Sequence, residues 1–350
     1  MQKKIEVGVL GATGMVGQHF VKFLRNHPWF ELTWVGASER SAGKLYSEAT
    51  SWRLEGDMPT ATAGLTVQVC EPTANTPKLV FSAMDAGVAT EIERAFAEAG
   101  HTVVSNSRNH RMEADVPLLV PEINYDHLRI LPLQKKNRGW KGQIVTNPNC
   151  STVAMTMGLA PLKPFGITKI LATTLQAISG AGYPGVPSMD IMGNVIPYIG
   201  GEEPKMETET QKILGELVDG VFVDLPAKVS AHCNRVPVVD GHMVCISVEL
   251  TDKPGLAALR KAFDEYTSLP QKMKLPSAPA RPVLYLEAAD RPQPRRDAER
   301  DNGMTVTVGR LRECPVLDYK FVACGHNTIR GAAGVAVLNA ELMYSEGMLD

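Results

Sequence analysis

The chain has 350 residues, a formal net charge of −2, 44% hydrophobic and 21% charged residues. This composition excludes a disordered or fibrous chain, and the length predicts two domains around a substantial core. No long basic run gives it an electrostatic footprint for nucleic acid or an anionic membrane.

The first residues, MQKKIEVGVLG, are charged and then strand-like, without the apolar stretch of a secretion signal. No apolar run reaches the ~18 residues of a membrane span. Cys70, Cys150, Cys233, Cys245, Cys314 and Cys324 are scattered through a chain large enough to fold without staples, which points to cytoplasmic thiols. Neither a CxxC pair nor HExxH occurs, so no metal site is expected.

Lys4 to Leu10 read as a strand, followed at once by GATGMVG (Gly11 to Gly17) and by QHFVKFLRNHP, apolar at helical spacing. Strand, glycine turn and helix open a dinucleotide-binding unit, with Gly11, Thr13, Gly14, Met15 and Val16 where the pyrophosphate would lie. A glycine turn without a ligand is the alternative. The second strand, Glu31 to Ser38, ends in Ser38, Glu39, Arg40 and Ser41. Hydroxyls and Arg40 suit the 2'-phosphate of NADP better than a strand-end carboxylate would, against the plain alternative of a solvated loop.

Further strands are predicted at Thr66 to Val69, Leu79 to Ser82 and Thr102 to Ser105, with a helix in GVATEIERAFAEAG. The alternation predicts a mostly parallel sheet covered by helices, and Ser82, Ala83 and Met84 lie at the end of a strand, where ligands of such sheets collect. Asn124 to Trp140, polar and proline-broken, reads as a connection, and GQIVTNP as a short strand leading to Cys150.

Cys150, in NPNCST, stands where a helix begins, from about Ser151 until Pro161. Helix-start N–H groups would lower the thiol pKa from ~8.5 and hold an oxyanion. The competing reading is a buried apolar thiol.

SGAGYPG (Ser179 to Gly185) reads as a loop brought close to a ligand. GGEEPKMETETQKILGEL should form a helix from near Pro204, most of its charges solvated, with Lys205 and Lys212 meeting anions or solvent. AHCNRVPVVDGHMVCISVEL holds His232, Arg235 and His242 in strand-like segments. His242 is either an acid/base partner for the cysteine or a packed histidine, and Arg235 either clamps a carboxylate or caps a strand. RPQPRRD (Arg291 to Asp297) reads as a surface loop or contact segment. GHNTIRGAAGVAVLNAELM combines a glycine-rich turn with an apolar helix expected to return to the first domain.

Taken in order, GATGMVG, SNSRNHRM, NPNCST, SGAGYPG, EEPKMETETQKIL, NRVPVVDGH and HNTIRGAAG resemble, almost end to end, the aspartate-semialdehyde dehydrogenases shared by archaea, fungi and some bacteria. The resemblance implies an α/β fold, a Rossmann-like NADP-binding domain plus an α+β catalytic and dimerisation domain, as in glyceraldehyde-3-phosphate dehydrogenase. Expected boundaries are 1–149 with about 326–350 for the first domain and 150–325 for the second. By the same resemblance Cys150 is the acyl-forming nucleophile and His242 its acid/base partner. Asn149, Glu203 and Arg235 bind substrate, and Arg111 and Lys205 bind phosphate. Ser38, Arg40 and Ser41 surround the 2'-phosphate, while Ser179, Gly180 and Asn327 lie near the nicotinamide. The implied reaction reduces 4-phospho-L-aspartate to L-aspartate 4-semialdehyde with NADPH, releasing phosphate, through a Cys150 thioester, in a cytoplasmic homodimer or homotetramer. The pathway would lead to lysine, threonine and methionine, with diaminopimelate in bacteria. The nearest rival is an NADPH-dependent malonyl- or succinyl-coenzyme A reductase; a nucleotide-binding protein without turnover is a more distant one.

Overall fold

The computed structural model describes residues 3–349; Met1, Gln2 and Asp350, the outer ends of the expected 1–149 and 326–350 segments, lie outside the described residues. Six strands form a first sheet: β1 (Ile5–Leu10), β2 (Phe30–Ala37), β3 (Val67–Val69), β4 (Leu79–Ser82), β5 (Thr102–Ser105) and β6 (Gln143–Thr146). All pairings are parallel, in the order β3-β2-β1-β4-β5-β6. Strands covered on both faces need apolar residues throughout, and β4, β5 and β6 are buried at every position. Strand order reverses between β1 and β4, so the chain leaves both carboxyl ends in opposite directions and opens a crevice there.

The helix after β1 spans Met15–Leu24, so Gly17 falls inside its first turn. A Cβ on Gly17 would lie 2.3 Å from the Gly11 oxygen, and Gly11 itself has φ +73°. Glycine at these two positions lets the helix start sit directly on the turn.

The second sheet is mixed. It contains β7 (Ile167–Gln176), β10 (Lys228–Arg235), β11 (His242–Leu250), β12 (Val283–Leu286), β13 (Val306–Glu313) and β14 (Tyr319–Gly325) in the order β10-β7-β11-β14-β13-β12. β8 (Glu216–Val218) and β9 (Val221–Val223) form a separate hairpin. Burial alternates along β7 and β11 because only one face is covered. Against that face lies the helix Cys150–Leu159, buried at every residue after Cys150 and packed against helix Glu202–Leu214. Leu171 and Cys245, on these two strands, are exposed.

Near the end, Ile329–Ala333 makes a π-helical turn and Gly334–Ser345 an α-helix. Ala336, Val337 and Ala340 of that helix share a core with Val7, Val9 and Phe20. The π-helical turn packs on both this last helix and the helix that begins at Cys150, and so links the two halves of the fold. Asn124 to Trp140, expected as a connection, instead contains the 3-10 turn Tyr125–Ile130 and the helix Leu131–Arg138. Pro132 falls in that helix's first turn, where no N–H is needed, and buried Gln134 bonds both backbone groups of Ile144.

Candidate active site

The carboxyl ends of β1, β2 and β4 border a cleft of about 990 Å³. Gly11, Thr13, Gly14, Met15, Val16 and Ser38 line it. Helix Met15–Leu24 has no side-chain cap, leaving its first N–H groups to an anion. The donor set and the glycine turn therefore fit a dinucleotide. Arg40 is exposed and not among the lining side chains, while the Ser41 N–H closes a turn on the Ser38 oxygen at 2.8 Å.

Ser82 is a correction. Of the three residues expected at this strand end, Ala83 and Met84 line the cleft together with Asp85, whereas the Ser82 side chain is fully buried and its hydroxyl donates to Glu93 Oε1 at 2.5 Å. Neighbouring strand residues face opposite ways, so the last strand residue and the first loop residue have different surroundings. Sequence reasoning also passed over Arg53, the one cation among the described lining residues, whose guanidinium lies 4.2 Å from the ring centre of Tyr183 in the SGAGYPG loop.

A second pocket of about 720 Å³ shares Met15, Val16, Met84, Asp85, Ala181 and Gly182 with the first. The two adjoin along these residues. Cys150 lines this second pocket, at the first residue of its helix. Asn149 is the N-cap: its Oδ1 accepts from the Ser151 and Thr152 N–H groups at 3.0 and 3.1 Å. That oxygen is committed to the helix, and only the amide group is free to reach outward. It donates to Glu202 Oε1 at 2.6 Å.

Glu202 thereby replaces Glu203. The helix starts at Glu202, two residues before Pro204, with Gly201 as N-cap at φ +65°. Successive helical side chains point about 100° apart. Glu202 lines the pocket, buried, with Gln176 Nε2 at 3.1 Å and Lys205 Nζ at 3.0 Å. Glu203 instead faces β10, where its Oε1 accepts the Cys233 N–H at 3.1 Å. Although burial opposes it, Lys205 and Asn149 hold the Glu202 carboxyl below the usual range.

Arg111, Lys205, Arg235, Ser179, Gly180 and Asn327 all line the same pocket. Arg235 is buried and donates from Nη1 to the Ala177 oxygen at 2.7 Å. Asn327 donates to Ser179 Oγ at 2.8 Å and accepts the Gly241 N–H at 2.9 Å, tying the glycine-rich loop to the turn before β11. His232 is exposed on β10, away from this cluster.

His242 lies fully buried beneath Gly180: a Cβ there would be 3.0 Å from His242 Nε2 and 2.9 Å from Arg235 Nη1. Nδ1 accepts the Ala177 N–H at 3.1 Å, so the neutral ring carries its proton on Nε2. That atom is buried without a hydrogen-bond partner among the described residues. Burial, reinforced by Arg235, lowers the imidazole to about 3.

The expected thiolate is overturned. Burial pushes the Cys150 thiol up to about 12, with Glu202 adding to the rise, while Arg111, Arg235 and the Ser151 N–H oppose it. Desolvation outweighs the helix start, so sulfur and imidazole are both neutral near pH 7.

Residues 6–131 match the semialdehyde dehydrogenase NAD binding domain family, and residues 159–330 the semialdehyde dehydrogenase dimerisation domain family. The aspartate-semialdehyde dehydrogenase of Methanothermobacter thermautotrophicus is 50% identical, over 97% of this chain and 99% of its own. That of Cryptococcus neoformans is 48% identical, over 99% of this chain and 98% of its own. The crystal structure of aspartate semialdehyde dehydrogenase with NADP from Candida albicans has a TM-score of 0.92 and 45% identity, covering 99% of this chain and 100% of its own. Aspartate semialdehyde dehydrogenase II complexed with ASA from Vibrio cholerae has a TM-score of 0.78 and 27% identity, covering 99% of both chains.

Proposed function

Because the chain belongs to the aspartate-semialdehyde dehydrogenase family, we propose that Cys150 carries the acyl group through the reaction and that the adjoining cleft and pocket hold NADP and substrate together. The enzyme is an NADP-dependent oxidoreductase of the aspartate pathway of amino-acid biosynthesis, interconverting 4-phospho-L-aspartate and L-aspartate 4-semialdehyde. The single observation that carries the roles is that the two cavities share a wall, with Cys150 in one and the glycine turn in the other.

Gly11, Thr13, Gly14, Met15, Val16 and Ser38 would hold the nucleotide, the uncapped helix start meeting its pyrophosphate. When bound, the nucleotide supplies a hydride to the thioester or removes one in the opposite direction. Glu202, as a carboxylate, pairs with the substrate's ammonium group, and the fork of Arg235 with its α-carboxylate. Arg111 and Lys205 hold the phosphate. Sulfur attacks the acyl carbon, the C–O bond to phosphate breaks, and the thiol proton leaves with the departing phosphate. In the aldehyde direction the sulfur adds to the carbonyl; His242 gives its Nε2 proton to the new hydroxyl and recovers the proton of the thiol. Both groups are neutral before substrate arrives, so the thiol proton has to move as the bond to sulfur forms.

We assign 1–149 with about 326–350 to the nucleotide domain and 150–325 to the catalytic domain. The exposed face of the second sheet, with Leu171 46% exposed, within the segment matching a dimerisation domain, supports a homodimer or homotetramer. Among the described residues no helix is long and apolar enough to cross a membrane; we assign the enzyme to the cytoplasm.

Incubation with 4-phospho-L-aspartate, without NADPH, should leave an aspartyl mass on a peptide containing Cys150, absent in Cys150→Ala. An adduct that survives in the variant would reject this cysteine. NADP reduction by aspartate semialdehyde should require phosphate, whereas dependence on coenzyme A in its place would support the acyl-coenzyme A reductase.

A further inference from the structure

Glu202, Lys205, Glu209 and Lys212 are spaced three, four and three residues apart, so they form one stripe along helix Glu202–Leu214. Glu209 and Lys212 stand outside the expected site, yet both are buried. We infer that Glu209 is a positioning residue that aims Arg111 at the phosphate and, with the same carboxylate, holds the backbone that presents Cys150. This rests on the assignment of Arg111 to phosphate made above.

Glu209 is 2% exposed, and its two oxygens serve two different segments. Oε1 accepts Arg111 Nη1 at 2.9 Å, and Oε2 accepts the Asn149 N–H at 2.6 Å. Arg111 Nη2 donates to the Asn106 oxygen at 2.7 Å, so both ends of its fork are fixed. One turn further along, Lys212 Nζ donates to the carbonyls of Arg111, Glu113 and Val116 at 2.8, 2.9 and 2.8 Å. Arg111 is thus held by its main chain through Lys212 and by its side chain through Glu209. Asn149 is likewise held twice, at its backbone by Glu209 and at its side chain by Glu202. One rigid helix therefore sets the distance between the anion site and the cap of the nucleophile's helix. Charge-assisted bonds to a buried carboxylate are directional enough to do this, and an ion pair inside the protein keeps its geometry where a surface pair would not.

Glutamine at 209 has one acceptor for two donors, and its amide nitrogen would face the other N–H group. Glu209→Gln should therefore raise the KM for phosphate at least about tenfold, the scale of one lost bond to a charged group, and lower kcat. The KM for aspartate semialdehyde should move less than about threefold, because Arg235 and Glu202 are retained. NADP affinity, measured by fluorescence titration without substrate, should not change. Glu209→Asp keeps the charge and should recover part of the phosphate affinity, which covers the case in which the glutamine variant folds poorly.

The discriminating experiment is a double-mutant cycle. If Glu209 acts through Arg111, then Arg111→Lys with Glu209→Gln should raise the phosphate KM no further than Arg111→Lys alone. Multiplying effects, or a phosphate KM within about twofold of wild type in Glu209→Gln, would overturn the inference. An unchanged phosphate KM in Arg111→Lys would remove the phosphate assignment and this inference together. A wild-type enzyme indifferent to phosphate would refute the functional reading itself.

Discussion

Gly331 provides a sharp test of how the nucleophile is held. A Cβ added there would lie 2.6 Å from Cys150 Cβ and 2.9 Å from Cys150 Cα. Carbon atoms prefer ~3.5 to 4.0 Å, so Gly331→Ala requires a separation of about 1 Å between the π-helical turn and the start of the nucleophile's helix. Neither side yields easily. Gly331 N–H is bonded to the His326 oxygen at 2.9 Å, and the adjacent Arg330, fully buried, forks onto Glu122 at 2.9 and 2.7 Å. Cys150 belongs to a helix buried along its length. Overpacking of this kind costs about 1–3 kcal/mol, and a 1 Å misplacement of a reacting group costs about 100-fold in rate. For a chain of this length the unfolding entropy is about 0.7 kcal/mol per kelvin, so the melting temperature should fall by roughly 1.5 to 4 °C. Phosphate-dependent NADP reduction should lose about two orders of magnitude in kcat, with NADP affinity kept. A Gly331→Ala enzyme within about threefold of wild type in kcat, with unchanged melting, would refute the close packing of this turn on Cys150.

Glu202→Gln removes a charge that pushes the Cys150 thiol up, so the pH profile of iodoacetamide alkylation should shift to lower pH while turnover falls; an unshifted profile would show that Glu202 does not act on the sulfur. Ser82→Ala should leave NADP affinity intact and lower the melting temperature by about 2–4 °C, because buried Glu93 loses a donor. Weaker NADP binding with unchanged melting would restore Ser82 to the cleft. Burial and Arg235 hold His242 at about 3 against an ordinary 6.5, so the unfolded chain takes up the proton first and stability is lost as pH falls through that interval. His242→Gln should flatten the acid side of a plot of melting temperature against pH, leaving the contributions of His19 and His127, each lowered to about 4 chiefly by burial. An equally steep plot would argue against a buried neutral imidazole.

Much of the architecture was legible along the chain. β4 and β5 match their predicted ends because strands covered on both faces appear as unbroken apolar runs. The glycine turn and NPNCST were legible for a similar reason: turn chemistry and helix starts are set by a few adjacent residues. Those motifs also determined the family, through the order in which they occur. What tertiary structure alone decided was direction and environment. Glu202 and Glu203 are neighbours in sequence, and only the face on which their helix packs selects which one enters the pocket. Most charges of this helix read as solvated, with Lys212 left to anions or solvent, because the partners of Glu209 and Lys212, namely Arg111, Asn149 and three carbonyls, come from residues distant in sequence. The charge state of Cys150 was misjudged for the same reason, since a helix start is local whereas the desolvation that outweighs it comes from everything packed around the sulfur.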